Sequence, residues 1–160
     1  MSSNYQPPAE WSPPGAQFRS GSTVGRTLSS TVFALVVAPI GIGLAANGAA
    51  DTREWIVLGD ETARWGSTFQ IIGGAVLLFL VATLAAHSPV STVIAGLVWG
   101  LLPGLAQVFF PDDIWRTIQN TPALSNGLKL ALHAWVNNGF ALITGMLLLG
   151  AGIAAGLRRR

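Results

Sequence analysis

Three long stretches without an acidic or basic side chain decide what this chain can fold into. Thr27–Ala50 holds no Asp, Glu, Lys or Arg in 24 residues, Trp65–Pro111 none in 47, and Leu130–Leu157 none in 28. A bilayer core takes about 20 apolar residues per helix, so these runs read as one, two and one spans. The middle run is divided at His87-Ser88-Pro89, where a polar pair and a proline mark a tight turn. The expectation is an all-α, polytopic membrane protein with transmembrane helices over about 27–49, 66–86, 91–110 and 130–157. Only 10% of the residues are charged, against about 25% in ordinary soluble domains.

The flanks fit that layout. Residues 1–26 contain Pro7-Pro8 and Pro13-Pro14 among Ser and Gly, the composition of a disordered tail. The first apolar run starts late and exceeds the roughly 7–15 residues of a signal-peptide core, so it is expected to remain in the protein. Two polar loops are expected, Asp51–Arg64 and Pro111–Lys129. In the second, Asp113 is placed to cap a short turn, Ile114–Ile118, whose apolar side rests on the membrane surface. Pro39 and Pro103 are expected to bend the first and third helices.

Four spans put both termini on one side. Arg19, Arg26 and the terminal Arg158-Arg159-Arg160 give that side five basic residues. The loops hold four: Arg53, Arg64, Arg116 and Lys129. The positive-inside rule then puts both termini in the cytoplasm and the two long loops on the outer side of the plasma membrane. Trp55, Trp65, Trp115 and Trp135 fall where an aromatic belt belongs.

The two halves resemble each other. Ser30-Thr31-Val32-Phe33-Ala34 aligns with Ser91-Thr92-Val93-Ile94-Ala95 at an offset of 61, and Gly43-Leu44-Ala45 with Gly104-Leu105-Ala106. Eight of these sixteen positions are identical between 30–45 and 91–106. Phe69, Ile72, Gly74, Leu77 and Leu78 match Phe140, Ile143, Gly145, Leu148 and Leu149. Two tandem helical hairpins related by a parallel internal repeat are expected, with the axis along the membrane normal. Chance likeness between strings rich in Gly, Ala, Val and Leu is the competing account.

Gly96, Gly100 and Gly104 form a ridge at spacing four, and Gly152 with Gly156 a smaller one. Such faces let another backbone approach closely, whether a helix of the same chain, another subunit or a second copy. Polar residues within spans are costly in lipid and are the default place to look for function. Here they are Gln70, Gln107, His133, Asn137 and Asn138, with His133 and Asn137 on one helical face. They are candidates for a polar pocket, or for hydrogen bonds between helices.

Other chemistry finds little footing. No Asp, Glu, Lys or Arg lies within a span, which argues against proton- or ion-coupled transport. The chain has no cysteine, hence no disulfide, thiolate or iron–sulfur ligand. The two histidines, His87 and His133, fall toward opposite membrane faces and do not make an axial pair for one haem. No metal-ligand spacing, Walker-type loop or catalytic constellation occurs, and a net charge of +2 is too small to argue for nucleic acid. No cofactor is expected.

With four spans, arginine over lysine eight to one and abundant Gly and Ala, the chain resembles small tetraspan membrane proteins of actinobacteria. That resemblance covers layout and composition, so it carries no functional residue over. The leading expectation is a non-enzymatic accessory or assembly subunit of a larger membrane complex. The alternatives are a small dimeric transporter or channel using the repeat interface, and a lipid-modifying enzyme using the acidic outer loops, with Asp51 and Glu54 in one and Asp112 and Asp113 in the other.

Overall fold

The computed structural model describes residues 23–59 and 64–158, and they are helical almost throughout. The elements are α1 (Thr23–Leu58), α2 (Arg64–Thr83), α3 (Pro89–Gly96), α4 (Leu102–Phe109), α5 (Pro111–Gln119), α6 (Asn126–Asn137) and α7 (Phe140–Leu157). A 3-10 turn, Leu84–Ala86, ends α2, and a π turn, Leu97–Leu101, joins α3 to α4. Four helices are long and apolar enough to cross a membrane: Gly25–Val57, Arg64–Ala86, Pro89–Phe109 and Phe140–Leu157. The expected tail over 1–26 lies outside the described residues up to position 22, and Thr23–Arg26 already belong to α1.

Two boundaries differ from the sequence expectation. The helix expected to stop at residue 49 runs through Asp51, Arg53 and Glu54 to Leu58, so most of the expected loop is helix. Helix propensity continues past the apolar segment because nothing in Ala49–Leu58 breaks it; the first breaker is Gly59, at φ +74°. At 1.5 Å per residue α1 is about 54 Å long, well beyond a hydrocarbon core of about 30 Å. Its last two turns therefore stand clear of the charge-free segment.

The second difference is in the last apolar run. The helix expected over 130–157 is two helices, broken at Asn138-Gly139. Gly139 sits at φ +78°, in the left-handed region that other residues avoid, and its N–H reaches Val136 O at 3.1 Å. That closes the end of α6, while the Gly139 carbonyl accepts from Ile143 N to open α7. His133 and Asn137 accordingly sit on α6, ahead of the fourth apolar span.

Proline is accommodated in two different ways. Pro39 lacks the N–H that would bond Leu35 O four residues earlier. The Trp99 indole N–H, from the π turn, donates to that same carbonyl at 2.9 Å, and α1 runs on as helix through Pro39. Before Pro103 the chain widens into the π turn instead, and Leu102 N bonds Leu97 O, five residues back.

α5 is longer than the turn expected around Asp113. Phe110 is its N-cap, Pro111 opens it, and Asp112 and Asp113 lie in the first turn without a side-chain cap bond. Their charge there complements the helix dipole. α1 packs mainly along α2, and the third span along α7, while α1 also crosses α3 and α6. The buried cluster is built from small residues: Ala34, Ala38 and Ala95, closed by Val81 and Leu148.

Candidate functional site

The five polar residues singled out from the sequence do not converge. Gln70 Oε1 accepts from Asn47 Nδ2 at 2.9 Å, and the same amide donates to Asp51 at 3.1 Å. That cluster ties α1 to α2. Gln107 meets Asn137 across the α4–α6 junction, with Nε2 to Oδ1 at a long 3.4 Å. The Gln107 Oε1 atom is buried without a partner. His133 packs its ring on Trp115 of α5, with centroids 4.5 Å apart. Asn138 faces away from these, into a cleft against the end of α1. Asn47 was missed by the sequence reading although it lies inside the expected first span, four residues before Asp51.

A hydroxyl cluster fastens the opposite end. Ser91 Oγ lies 2.7 Å from Ser30 Oγ, 3.0 Å from Thr31 Oγ1 and 2.7 Å from Ser88 Oγ. Ser88, Ser91 and Thr92 are buried, and Thr92 donates to Val81 O at 3.2 Å. Ser30 and Ser91 are aligned positions of the expected repeat, and their side chains touch.

The glycine ridge is covered within the chain. A Cβ on Gly96 would fall 2.9 Å from Leu148 Cβ and 3.0 Å from Gly145 O, and one on Gly104 would fall 2.5 Å from Leu142 Cγ. Gly100 meets Gly145 backbone to backbone. α7 thus occupies the Gly96/Gly100/Gly104 face. Gly152 packs as tightly, since its Cβ would come within 2.6 Å of Val93 Cγ2, whereas Gly156 has only ordinary contact with Pro89 at 3.9 Å. Three further close-packing glycines escaped the spacing rule, and the first is Gly48, where a Cβ would fall 2.7 Å from Ser67 O. Gly74 lies against Gly41 and Ala45, and Gly145 against Gly100 and Leu101. Each is a lone small residue opposite a groove, so no spacing betrays it.

Two clefts flank α6 where it crosses α1. The inner one, about 730 Å³, lies among α1, the third span, α5 and α6. Four polar side chains reach it. Trp99 donates to Leu35 O, Thr117 to Asp113 O at 2.7 Å and Thr121 to Thr117 O at 2.9 Å. Trp135 alone keeps an unpaired Nε1, and that atom is buried. Apart from that N–H, the cleft is apolar in effect. The outer cleft, about 470 Å³, lies between the end of α1, α6 and the start of α7, and Arg53 and Glu54 stand on its wall.

Among the described residues no three His, Asp or Glu side chains gather as metal ligands would. Asp112 and Asp113 are exposed on α5 and have no nucleophile or base beside them in the sequence. No protein-family profile, curated protein or solved structure matches the chain.

Proposed function

We propose that this chain is a non-enzymatic accessory or assembly subunit of a larger membrane complex, held in the plasma membrane with both termini cytoplasmic. The observation that carries the reading is the dispersal of the polar side chains. Asn47, Gln70 and Asp51 join one pair of helices, Gln107 and Asn137 another, and the serine cluster a third. Each hydrogen bond of this kind is worth about 0.6–2 kcal/mol of helix association. Polar groups engaged in this way support a role in holding helices together. What the protein offers its surroundings is apolar helix surface, such as Phe69, Ile72, Val76 and Phe79 of α2.

We also propose that the bundle arose from two tandem helical hairpins. Three pairs of aligned positions support this: Ser30 touches Ser91, Ala34 and Ala95 are both fully buried in one cluster, and Gly74 and Gly145 each receive the backbone of the preceding long helix. The partner surface is then the outward face of the bundle, because the glycine ridge is taken by α7. A dimeric transporter is the second reading, favoured by one feature, the unpaired Gln107 Oε1 beside Asn137.

Purification of the tagged chain from native membranes in mild detergent, with mass spectrometry of what accompanies it, tests both. Larger membrane proteins at fixed stoichiometry are expected. A homogeneous homo-oligomer without partners would overturn the accessory reading and send the effort to transport assays on Gln107 and Asn137 variants.

A further inference from the structure

We infer that the outer cleft binds one membrane phospholipid with a primary-amine headgroup. The cleft straddles the point where α1 passes from its charge-free segment to its charged end. Its inner part is paved by small side chains, Ala46 and Ala49 of α1 facing Ala131 and Ala134 of α6. Alanine at these positions is what leaves a groove where larger residues would close it. The rings of Trp135 and Phe140, 5.0 Å apart between centroids, wall one end. Such a surface takes hydrocarbon, and its volume of about 470 Å³ falls within the usual range of ligand sites, about 300–1,000 Å³.

Charge complementarity selects the headgroup. Arg53 and Glu54 both border the cleft, one turn beyond the alanines, with Asn138 opposite. Both charged side chains are exposed, and among the described residues no hydrogen bond or ion pair within the chain engages either of them. A phosphate finds its cation in Arg53, by charge-assisted hydrogen bonds. A primary ammonium finds its anion in Glu54 and donates to it; the amide oxygen of Asn138 is a further acceptor. An anionic lipid without an amine would set its headgroup against Glu54. A quaternary ammonium carries no N–H to donate. A soluble zwitterion would leave the alanine floor uncovered. The charged end over an apolar floor has the order of a bilayer lipid, head over chain.

The inference does not depend on the accessory reading, since a lipid can occupy this site in a subunit, a transporter or a solitary bundle. The test uses the full-length chain, delipidated in detergent and titrated with short-chain phosphatidylethanolamine, phosphatidylcholine and phosphatidylglycerol while thermal unfolding is followed. Phosphatidylethanolamine is expected to bind about 10-fold tighter than either of the others. Glu54→Gln is expected to abolish the preference over phosphatidylcholine, and Arg53→Gln to weaken all three about 10-fold. Both sites are exposed, so the lipid-free melting temperature of each variant should match that of the parent; Arg116→Gln on α5 serves as the control and should bind like the parent. Equal binding of the three lipids, preference for phosphatidylglycerol, or indifference to both substitutions would overturn the inference.

Discussion

Gly100 and Gly145 hold the third span and α7 at backbone contact, so a single methyl group at either position has nowhere to go. Gly145→Ala is expected to cost about 2–3 kcal/mol, the upper part of the range for overpacking. Gly150→Ala, on the same helix but with open space around it, is expected to be neutral or slightly stabilising through helix propensity. Reversible unfolding in detergent separates the two. Gln107 gives a prediction of opposite sign. Its Oε1 is buried without a partner and its one side-chain hydrogen bond is long. Gln107→Met should therefore leave stability unchanged or raise it by about 1 kcal/mol. A large loss of stability would mean that the side chain has a stronger partner than Asn137. At this scale the sequence showed which glycines form a ridge, because spacing four is visible in one dimension. It did not show Gly74 or the partnership of Gly145 with Gly100, because close approach is a property of two helices and a lone glycine carries no period. Asn47 was readable, yet its meaning comes only from Gln70, 23 residues away.

Helices and their breaks raise a different question, namely how this fold carries its prolines. α1 continues as helix on both sides of Pro39, and the π turn of the third span supplies a donor to the carbonyl left open, Trp99 Nε1 to Leu35 O. Trp99→Phe is expected to cost about 1 kcal/mol in the parent and less in a Pro39→Ala background, where the restored backbone N–H competes for the same carbonyl. Additive effects in the double-mutant cycle would contradict that coupling. Gly139, in the left-handed region between α6 and α7, should tolerate Ala only at a cost of about 1–2 kcal/mol. The Asn137-Asn138-Gly139 stop was present in the sequence as a helix-ending signal. It was passed over because the charge-free run continued across it; hydrophobicity marks what lies in or against the membrane, and does not distinguish one helix from two. The length of α1 was illegible for the converse reason. Charge at Asp51 to Glu54 ends a lipid-facing segment without ending a helix.

For the molecule as a whole, the absence of charge over three stretches fixed the number of long apolar helices, and the four are there in the structure. The candidate site was much less legible. A polar residue in an apolar run announces that it needs a partner, but whether the partners share one cavity depends on packing. Here packing sends Gln70 to Asn47, Gln107 to Asn137 and His133 to Trp115. These pairings place the side chains between helices, and of the two clefts the outer one has a floor of alanines. That arrangement fits the accessory role proposed above.

The proposed four-span topology puts the 87–88 turn and the C-terminal end on one side of the membrane, opposite the end of α1 and α5–α6. The chain has no cysteine of its own, so single cysteines report without background. His87→Cys, Glu54→Cys, Pro122→Cys and Arg158→Cys, all at exposed positions, would be probed in intact cells and in inverted vesicles with a membrane-impermeant maleimide. Positions 54 and 122 should label in cells, and positions 87 and 158 only in inverted vesicles. Labelling of 54 and 87 from the same side would contradict the crossing of α2, and with it the fold described here.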